Sequence, residues 1–392
     1  MPEAAARDES SAPLAGVVVV SLEQAVSAPF ATRQLADLGA FVLKVEPPSG
    51  DFARHYDSAM AGQSANFVWV NRGKQSLALD LRRDDDRATL ALLIAGADVF
   101  VHNVSPEAAA RLGIDPDDLV ARHPALIACA ISGYGAGGPR STDKAYDLAI
   151  QAEAGAFSVT GAEEMSKVGF SVADIAAGMY ALTSVLAALV RRGRTGTGAA
   201  IRVAMIDALA EWMSAPLYGA VYGDGQAPRT GRRHHSIAPY GTFRLSDGRT
   251  VLIAVQNDPE WSRLATGLLG RPALADDPRY ATNPARIAHV DEVEAMVSDA
   301  LASLGGDDAL ARLAEARIAV AFVNDLPGVW NHEQLRSRGR FRSASTQTGP
   351  VEVLDAPFDI SGWRPEPGHV PGLDEHDQPT VDGILARAQR GG

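Results

Sequence analysis

Asp174 stands where a carboxylate can do chemistry. The stretch Ser171-Val172-Ala173-Asp174 leads directly into Ile175, Met179, Leu182, Val185, Leu186 and Leu189, apolar residues at the spacing of one helical face. An aspartate at a helix start is a favoured N-cap, contributing about 1 kcal/mol. The helix dipole also keeps a carboxylate there rigid and ionised, which suits it to act as a nucleophile. Six cations, Lys44, Arg72, Lys74, Arg82, Arg111 and Lys144, fall near the expected ends of strands or helices, where open α/β sheets bind ligands. They can hold a polyphosphate, or they can be scattered, solvated charges. Gly133-Tyr134-Gly135-Ala136-Gly137-Gly138 matches the dinucleotide pattern G-x-G-x-x-G, but it follows a late strand and runs on through Pro139, Ser141, Thr142 and Asp143. A flexible glycine loop is the preferred reading, and its bare backbone lets it approach a ligand closely.

The remaining chemistry is limited. One cysteine, Cys129, inside the apolar run 125–131, allows neither an intramolecular disulfide nor a cysteine metal cluster and reads as a buried, inert thiol. Among nine histidines, His234 and His235 are adjacent, and His369 and His376 lie in a Pro/Gly-rich tail, so they read as solvated rather than as metal ligands. The sequence contains no G-x-S-x-G elbow, Walker loop or H-E-x-x-H motif. With 36 Lys and Arg against 48 Asp and Glu, the net charge of −12 argues against nucleic acid or an anionic membrane as main partner. Apolar runs such as 16–20 and 181–190 are shorter than the ~20 residues that cross a bilayer, and residues 1–11 lack a signal-peptide core; a cytoplasmic location is expected.

These residues need elements to position them. In 392 residues, 46% of them hydrophobic, two domains are expected. Residues 1–12 read as a loose tail. Strands are expected at 17–22, 41–45, 76–81, 98–102 and 126–131, with helices at 31–38 and 86–95 and a helical turn at 106–112. This alternation implies α/β architecture with a mostly parallel, doubly wound sheet. The longest helix is expected over 175–190, stopped by Arg191, Arg192 and Gly193, followed by a glycine-rich turn at 193–198, a strand at 201–203 and a helix through Trp212. The large domain thus spans 13–218, and Gly, Pro and Arg make 219–236 a linker. A hairpin over 242–255, turning at Ser246-Asp247-Gly248, and helices through Ala316 form a smaller domain, 237–325. Residues 326–392 return to the large domain as 350–360 and a loop-rich tail.

Several segments together resemble the family III CoA-transferases, also called the CaiB/BaiF family, which includes formyl-CoA transferase and alpha-methylacyl-CoA racemase. They are Pro13-Leu14-Ala15-Gly16-Val17, Ala28-Pro29-Phe30, Leu35-Ala36-Asp37-Leu38-Gly39-Ala40, Val42-Leu43-Lys44-Val45-Glu46-Pro47 and Asn71-Arg72-Gly73-Lys74-Gln75-Ser76-Leu77-Ala78-Leu79-Asp80-Leu81. Further on come Ile131-Ser132-Gly133-Tyr134-Gly135, Lys144-Ala145-Tyr146-Asp147, Ala173-Asp174 with Gly178-Met179, and Arg194-Thr195-Gly196-Thr197-Gly198. The resemblance implies a Rossmann-like large domain built from both chain ends, a smaller α+β domain, and a homodimer of interlinked rings. It places the catalytic aspartate at Asp174. It places CoA and substrate contacts at Val26, Ser27, Leu79, Asp80, Leu81, Arg82, Asn103, Val104, Ser105, Arg111, Lys144, Ala145, Tyr146 and Asp147. CoA thioester is then a substrate, with no tightly bound cofactor and no metal. Pro47 stands where formyl-CoA transferase has an arginine near the adenine, and that enzyme's tetraglycine loop is missing from 236–241. Both departures argue against oxalate as a substrate.

Racemases of this family carry histidine before the aspartate that matches Asp147; this chain has Tyr146, as transferases do. A phenol of pKa about 10 carries protons poorly at neutral pH, whereas an imidazole near 6.5 is well placed. The expected activity is transfer of CoA from an acyl-CoA to a free carboxylic acid, a small dicarboxylate such as succinate, citramalate, itaconate or mesaconate, through a mixed anhydride and a thioester on Asp174. The alternatives are a 2-methylacyl-CoA racemase or isomerase and, more distantly, a non-catalytic CoA- or NAD-binding protein.

Overall fold

Val18–Leu22, Phe41–Glu46, Gln75–Ala78, Val99–His102, Ile127–Ser132 and Ala199–Ala204 form strands β1 to β6 of one parallel sheet, ordered β3-β2-β1-β4-β5-β6. The structure is a computed structural model that describes residues 11–223, 225–226 and 228–391. Apolar runs of Val, Ile, Leu and Ala suit strands covered on both faces, and alternate side chains feed two cores. Val19, Val42, Val99, Ile127 and Cys129 pack with the helices Ser27–Asp37, Val172–Thr195 and Met205–Trp212. Val20, Leu43, Val45, Phe100 and Ala128 pack with Leu90, Leu93 and Ile94 of the Asp84–Gly96 helix and with Val381 and Ile384 of the C-terminal Gln378–Gly391 helix. Burial pushes the Cys129 thiol up to about 12, so it stays protonated. The connections change direction between β1 and β4, and this switch point leaves a crevice at the C-terminal strand ends.

Two compact units divide the chain. One contains residues up to 156, 167–215 and from 335 onward; the other contains 157–166 and 216–334. In the second unit β7 (Tyr240–Arg244), β8 (Thr250–Ala254) and β9 (Ala319–Phe322) form an antiparallel sheet beneath Trp261, Leu264, Val293, Val297 and Leu313. Arg286 is fully buried there, donating to the carbonyls of Ala238 (2.7 Å) and Tyr280 (2.9 Å) and to Asp258 (2.9 Å). The returning chain adds an antiparallel pair, β10 (Phe341–Ala344) and β11 (Val351–Leu354), whose Ala344 and Val353 pack with Phe67 and Val68. Farther along, the Gly73 and Ser76 amides donate to the carbonyls of His369 (2.7 Å) and Glu375 (2.9 Å).

Several boundaries differ from those expected. The long helix runs over Val172–Thr195 and ends at Gly196, whose left-handed φ of +72° caps it; Gly193 is absorbed because Arg192 and Arg194 favour a helix C-terminus. By length and composition this helix could cross a membrane, yet half of its most apolar window is buried inside the protein. Helix Ser214–Tyr222 occupies the start of the expected linker, and the smaller unit takes 157–166 and the whole of 216–334 rather than 237–325. The hairpin gains β9 as a third strand, and the loop-rich tail closes as a helix. Of the expected tail, residues 1–10 lie outside the described residues, while Ala12 is buried beside Gly39.

Candidate active site

The site forms where two helices begin side by side. Helix Val172–Thr195 approaches Ser27–Asp37 closely because it presents Ala173, Ala176, Ala177 and Gly178; a Cβ on Gly178 would lie 2.7 Å from the Ser27 carbonyl oxygen and 2.9 Å from the Phe30 ring. Ser27 and Asp174 therefore line one cavity of about 370 Å³. Asp174 is the third helical residue, so it does not take the N-cap position that its spacing predicts. Ser171 takes the N-cap position without a side-chain bond, and Asp147, at the head of the Asp147–Glu153 helix, caps from outside. Asp147 Oδ1 accepts the amides of Ala173 (2.8 Å) and Asp174 (3.3 Å), while Oδ2 accepts Gln151 Nε2 (2.7 Å). Gln151 is fully buried, accepts the Val168 amide (2.9 Å) and donates to the Phe170 carbonyl (3.2 Å).

Burial, and after it the negative charge of Asp147, push the Asp174 carboxyl up to about 7, against a hydrogen bond from Ser27 that lowers it. Asn103 Nδ2 donates to Ser27 Oγ (3.1 Å) and to the Gln24 carbonyl (2.8 Å), which fixes the hydroxyl. Ala25 sits in the left-handed region at φ +60°, and its amide donates to Asp51 Oδ1 (3.2 Å). A non-glycine residue held there marks a turn over-determined by its surroundings. Lys44 secures the other Asp51 oxygen at 2.9 Å, and Lys74 pairs with Glu23 at 2.6 Å. Lys44, Lys74 and Arg72, the last paired with Asp37, are all buried, so half of the expected phosphate-binding cations hold the fold together instead.

A second cavity, about 1120 Å³, opens at the C-terminal ends of β1 to β4. Leu22, Pro47, Leu79, Leu81 and Val104 give it apolar walls, and Arg82, Arg87 and Arg111 give it positive charge. That combination suits a ligand with both a flat ring and phosphates. Arg82 is bound to Asp80 through two bonds (2.7 and 2.8 Å), and Arg87 donates to the carbonyls of Leu81 and Arg82; among the described residues Arg111 makes no ion pair.

The expected site residues thus divide. Val26, Ser27, Asn103, Ala145, Tyr146 and Asp147 line the smaller cavity with Asp174; Leu79, Asp80, Leu81, Arg82, Val104 and Arg111 line the larger. Ser105 lines neither: its hydroxyl accepts the Ala108 amide (3.2 Å) and caps the Pro106–Leu112 helix. Lys144 is exposed and also lines neither. Phe52, Tyr56, Asn66, Met205 and Arg87 line the cavities without a sequence signal, because turns and helix ends bring them in from distant segments. The glycine-rich loop opens no helix until Asp147. Gly133 is glycine because Ala145 occupies the space of its Cβ, a packing need rather than a dinucleotide fingerprint.

A doubly wound sheet with a half-buried aspartate in its switch-point crevice, and a basic cavity beside it, defines an α/β protein equipped to react with an anionic ligand. The family model of CoA-transferase family III matches residues 14–377, and the chain belongs to that family, as an enzyme of the CoA-transferase type. It is 32% identical over 349 residues to the succinate–glutarate CoA-transferase of Agrobacterium fabrum, covering 86% of this chain and 87% of that one. It is 33% identical over 371 residues to the acetyl-CoA:oxalate CoA-transferase of Acetobacter aceti, covering 93% of each. The crystal structure of a CaiB/BaiF family protein from Brucella suis superposes with a TM-score of 0.84 at 33% identity, covering 95% of this chain and 99% of that one.

Proposed function

We propose that this enzyme moves CoA from an acyl-CoA thioester to a free carboxylic acid, a small dicarboxylate, with Asp174 as covalent nucleophile. The observation that carries the reading is the placement of Asp174, half-buried in a cavity at the switch point and strongly raised in pKa. A more basic carboxylate is a better nucleophile once ionised, and it needs no base to activate it. Asp174 attacks the acyl carbonyl, the C–S bond breaks, and CoA leaves as a thiolate, a group of pKa about 8.5. The thiolate attacks the aspartyl carbonyl of the resulting mixed anhydride, releasing the first acid and leaving an aspartyl-CoA thioester. The incoming carboxylate attacks that thioester and frees the thiolate, which takes the new acyl group and restores Asp174. The larger cavity, with Arg82, Arg87 and Arg111, suits the phosphates of CoA.

The dicarboxylate preference is supported by relatives named for succinate, glutarate and oxalate. Because Pro47 and the missing tetraglycine loop speak against oxalate, oxalate belongs in the acceptor panel as a discriminating member. The working form is a homodimer; exposed Leu217, Tyr218, Val221 and Tyr222 offer apolar surface for a second copy. The test is mass spectrometry of purified enzyme with a panel of acyl-CoA donors and free acids. Acceptor-dependent formation of a new CoA thioester is expected. A 2-methylacyl-CoA in heavy water should keep its alpha proton, since Tyr146 replaces a proton-carrying imidazole. Enzyme-dependent deuterium uptake without acceptor-dependent transfer would overturn the reading in favour of a racemase.

A further inference from the structure

Asp147 shares the smaller cavity with Asp174, and its hydrogen bonds assign it work other than binding CoA. Oδ1 takes both first-turn amides beneath Asp174 and Oδ2 takes Gln151, itself locked to Val168 and Phe170. We propose that Asp147 is a positioning residue for Asp174: it anchors the helical turn that carries the nucleophile and opposes negative charge on it, favouring the covalent stages of the cycle, in which Asp174 is uncharged. This rests on Asp174 being the nucleophile.

The surroundings leave Asp147 as the charge that matters. Among the described residues no Lys, Arg or His lines this cavity; besides the two aspartates its polar wall is made of the phenols of Tyr56 and Tyr146 and of neutral amide and hydroxyl side chains, Gln24, Ser27, Asn66, Asn103, Ser132 and Ser171. Asp51, behind Tyr56, is paired with Lys44. On the helices packed around the site, Arg33 and Asp37 pair with each other, while Glu153, Asp207 and Glu211 are exposed and do not line it. Two carboxylates in one poorly solvated cavity repel each other, and the repulsion is relieved when one becomes an acyl derivative. When Asp174 attacks, its charge leaves on the thiolate with the C–S electron pair. In the mixed anhydride, thiolate attack on the aspartyl carbonyl breaks the bond to the substrate acid and expels that acid. Attack on the other carbonyl expels Asp174 as a carboxylate beside Asp147. Asp147 therefore biases both anhydrides, the one from the donor acid and the one from the incoming acid, toward aspartyl-CoA.

Asp147→Asn keeps the Oδ1 acceptor for both amides and removes the charge, but it turns an amide toward Gln151. The double variant Asp147→Asn with Gln151→Glu restores an acceptor for that amide and moves the charge away from Asp174, at the loss of the bond to the Phe170 carbonyl. The decisive measurement needs no turnover: carbodiimide coupling of glycine ethyl ester to Asp174, which consumes the protonated carboxyl, followed across pH by peptide mass spectrometry. In the wild type coupling should persist to near pH 7, and in both variants its midpoint should fall by about one unit or more. During turnover, intact-mass analysis should show a several-fold smaller fraction of aspartyl-CoA in the variants. An unchanged midpoint in a variant whose circular dichroism matches the wild type overturns the proposal. If the midpoint falls but wild-type Asp174 never carries an acyl or CoA adduct, the nucleophile reading fails, and the directing role with it.

Discussion

An acid that titrates near neutrality owes that to its surroundings, and those of Asp174 make a prediction about stability as well as catalysis. Burial penalises the ionised form, so the folded state binds the Asp174 proton more tightly than the unfolded chain does. That contribution is fully present below about pH 4 and is lost as pH rises through about 7. Asp174→Asn should therefore melt with the wild type at pH 4 and above it at pH 8, by about 2 kcal/mol once solvent access is allowed for. The same variant should lose at least about a thousandfold in transfer rate, since an amide is a far weaker nucleophile. Calorimetry at both pH values and acceptor-dependent transfer measure the two effects, and hydroxylamine added during turnover should mark Asp174 in the wild type alone. Asp174 was legible in the sequence because an acid at the head of an apolar helical stripe is a local pattern. Its cap was not, since Asp147 lies 27 residues upstream and arrives through tertiary packing. For the same reason Lys44 and Lys74 read as free cations: Glu23 and Asp51 meet them through the sheet and its loops.

Helices carry these side chains to their places, and the contact at Gly178 sets how closely two of them meet. Gly178→Ala adds a methyl group against the Ser27 carbonyl and the Phe30 ring. It should cost about 1–3 kcal/mol as an overpacked contact, and it should lower kcat by separating Ser27 from Asp174. A lowered melting point with unchanged kcat would count against the two helices being jointly responsible for the site. The Pro106–Leu112 helix brings Arg111 to the larger cavity, whereas Lys144 lines neither cavity. Arg111→Ala should raise the donor KM about tenfold with little change in kcat, the mark of a contact equal in ground and transition states. Lys144→Ala should change the donor KM less than twofold, and initial rates at varied donor concentration separate the two. Element types were readable from periodicity, as for β1, β2 and the long helix. Their ends were less so, because Gly193 is accommodated inside a helix whose last turn is favoured by arginines.

At the scale of the whole chain, alternating strand and helix patterns were enough to expect a doubly wound sheet, but alternation alone does not choose among doubly wound orders, and β3-β2-β1-β4-β5-β6 is set by which strands pair in the fold. The C-terminal helix was harder to see because its apolar stripe is short, Val381, Ile384 and the partly buried Leu385, and packs against a partner helix some three hundred residues earlier. Segment 157–166 was invisible as part of the second unit, since a short excursion carries no composition signal. Surface chemistry carries the remaining prediction. Helix Ser214–Tyr222 has no buried residue, and Leu217, Tyr218, Val221 and Tyr222 are all exposed, with Tyr222 at 85%. Clustered apolar side chains left exposed among the described residues mark an interaction surface, and the family resemblance makes a second copy of the chain the expected occupant. Light scattering of dilute protein should therefore give about twice the 41.2 kDa chain mass. If the two chains are threaded through one another, they cannot separate while folded, so loss of the dimer and loss of secondary structure should coincide in denaturant, at a midpoint that rises with protein concentration. Replacing Leu217 and Val221 with Asp should lower that midpoint. A folded monomer at any denaturant concentration would exclude interlinked rings.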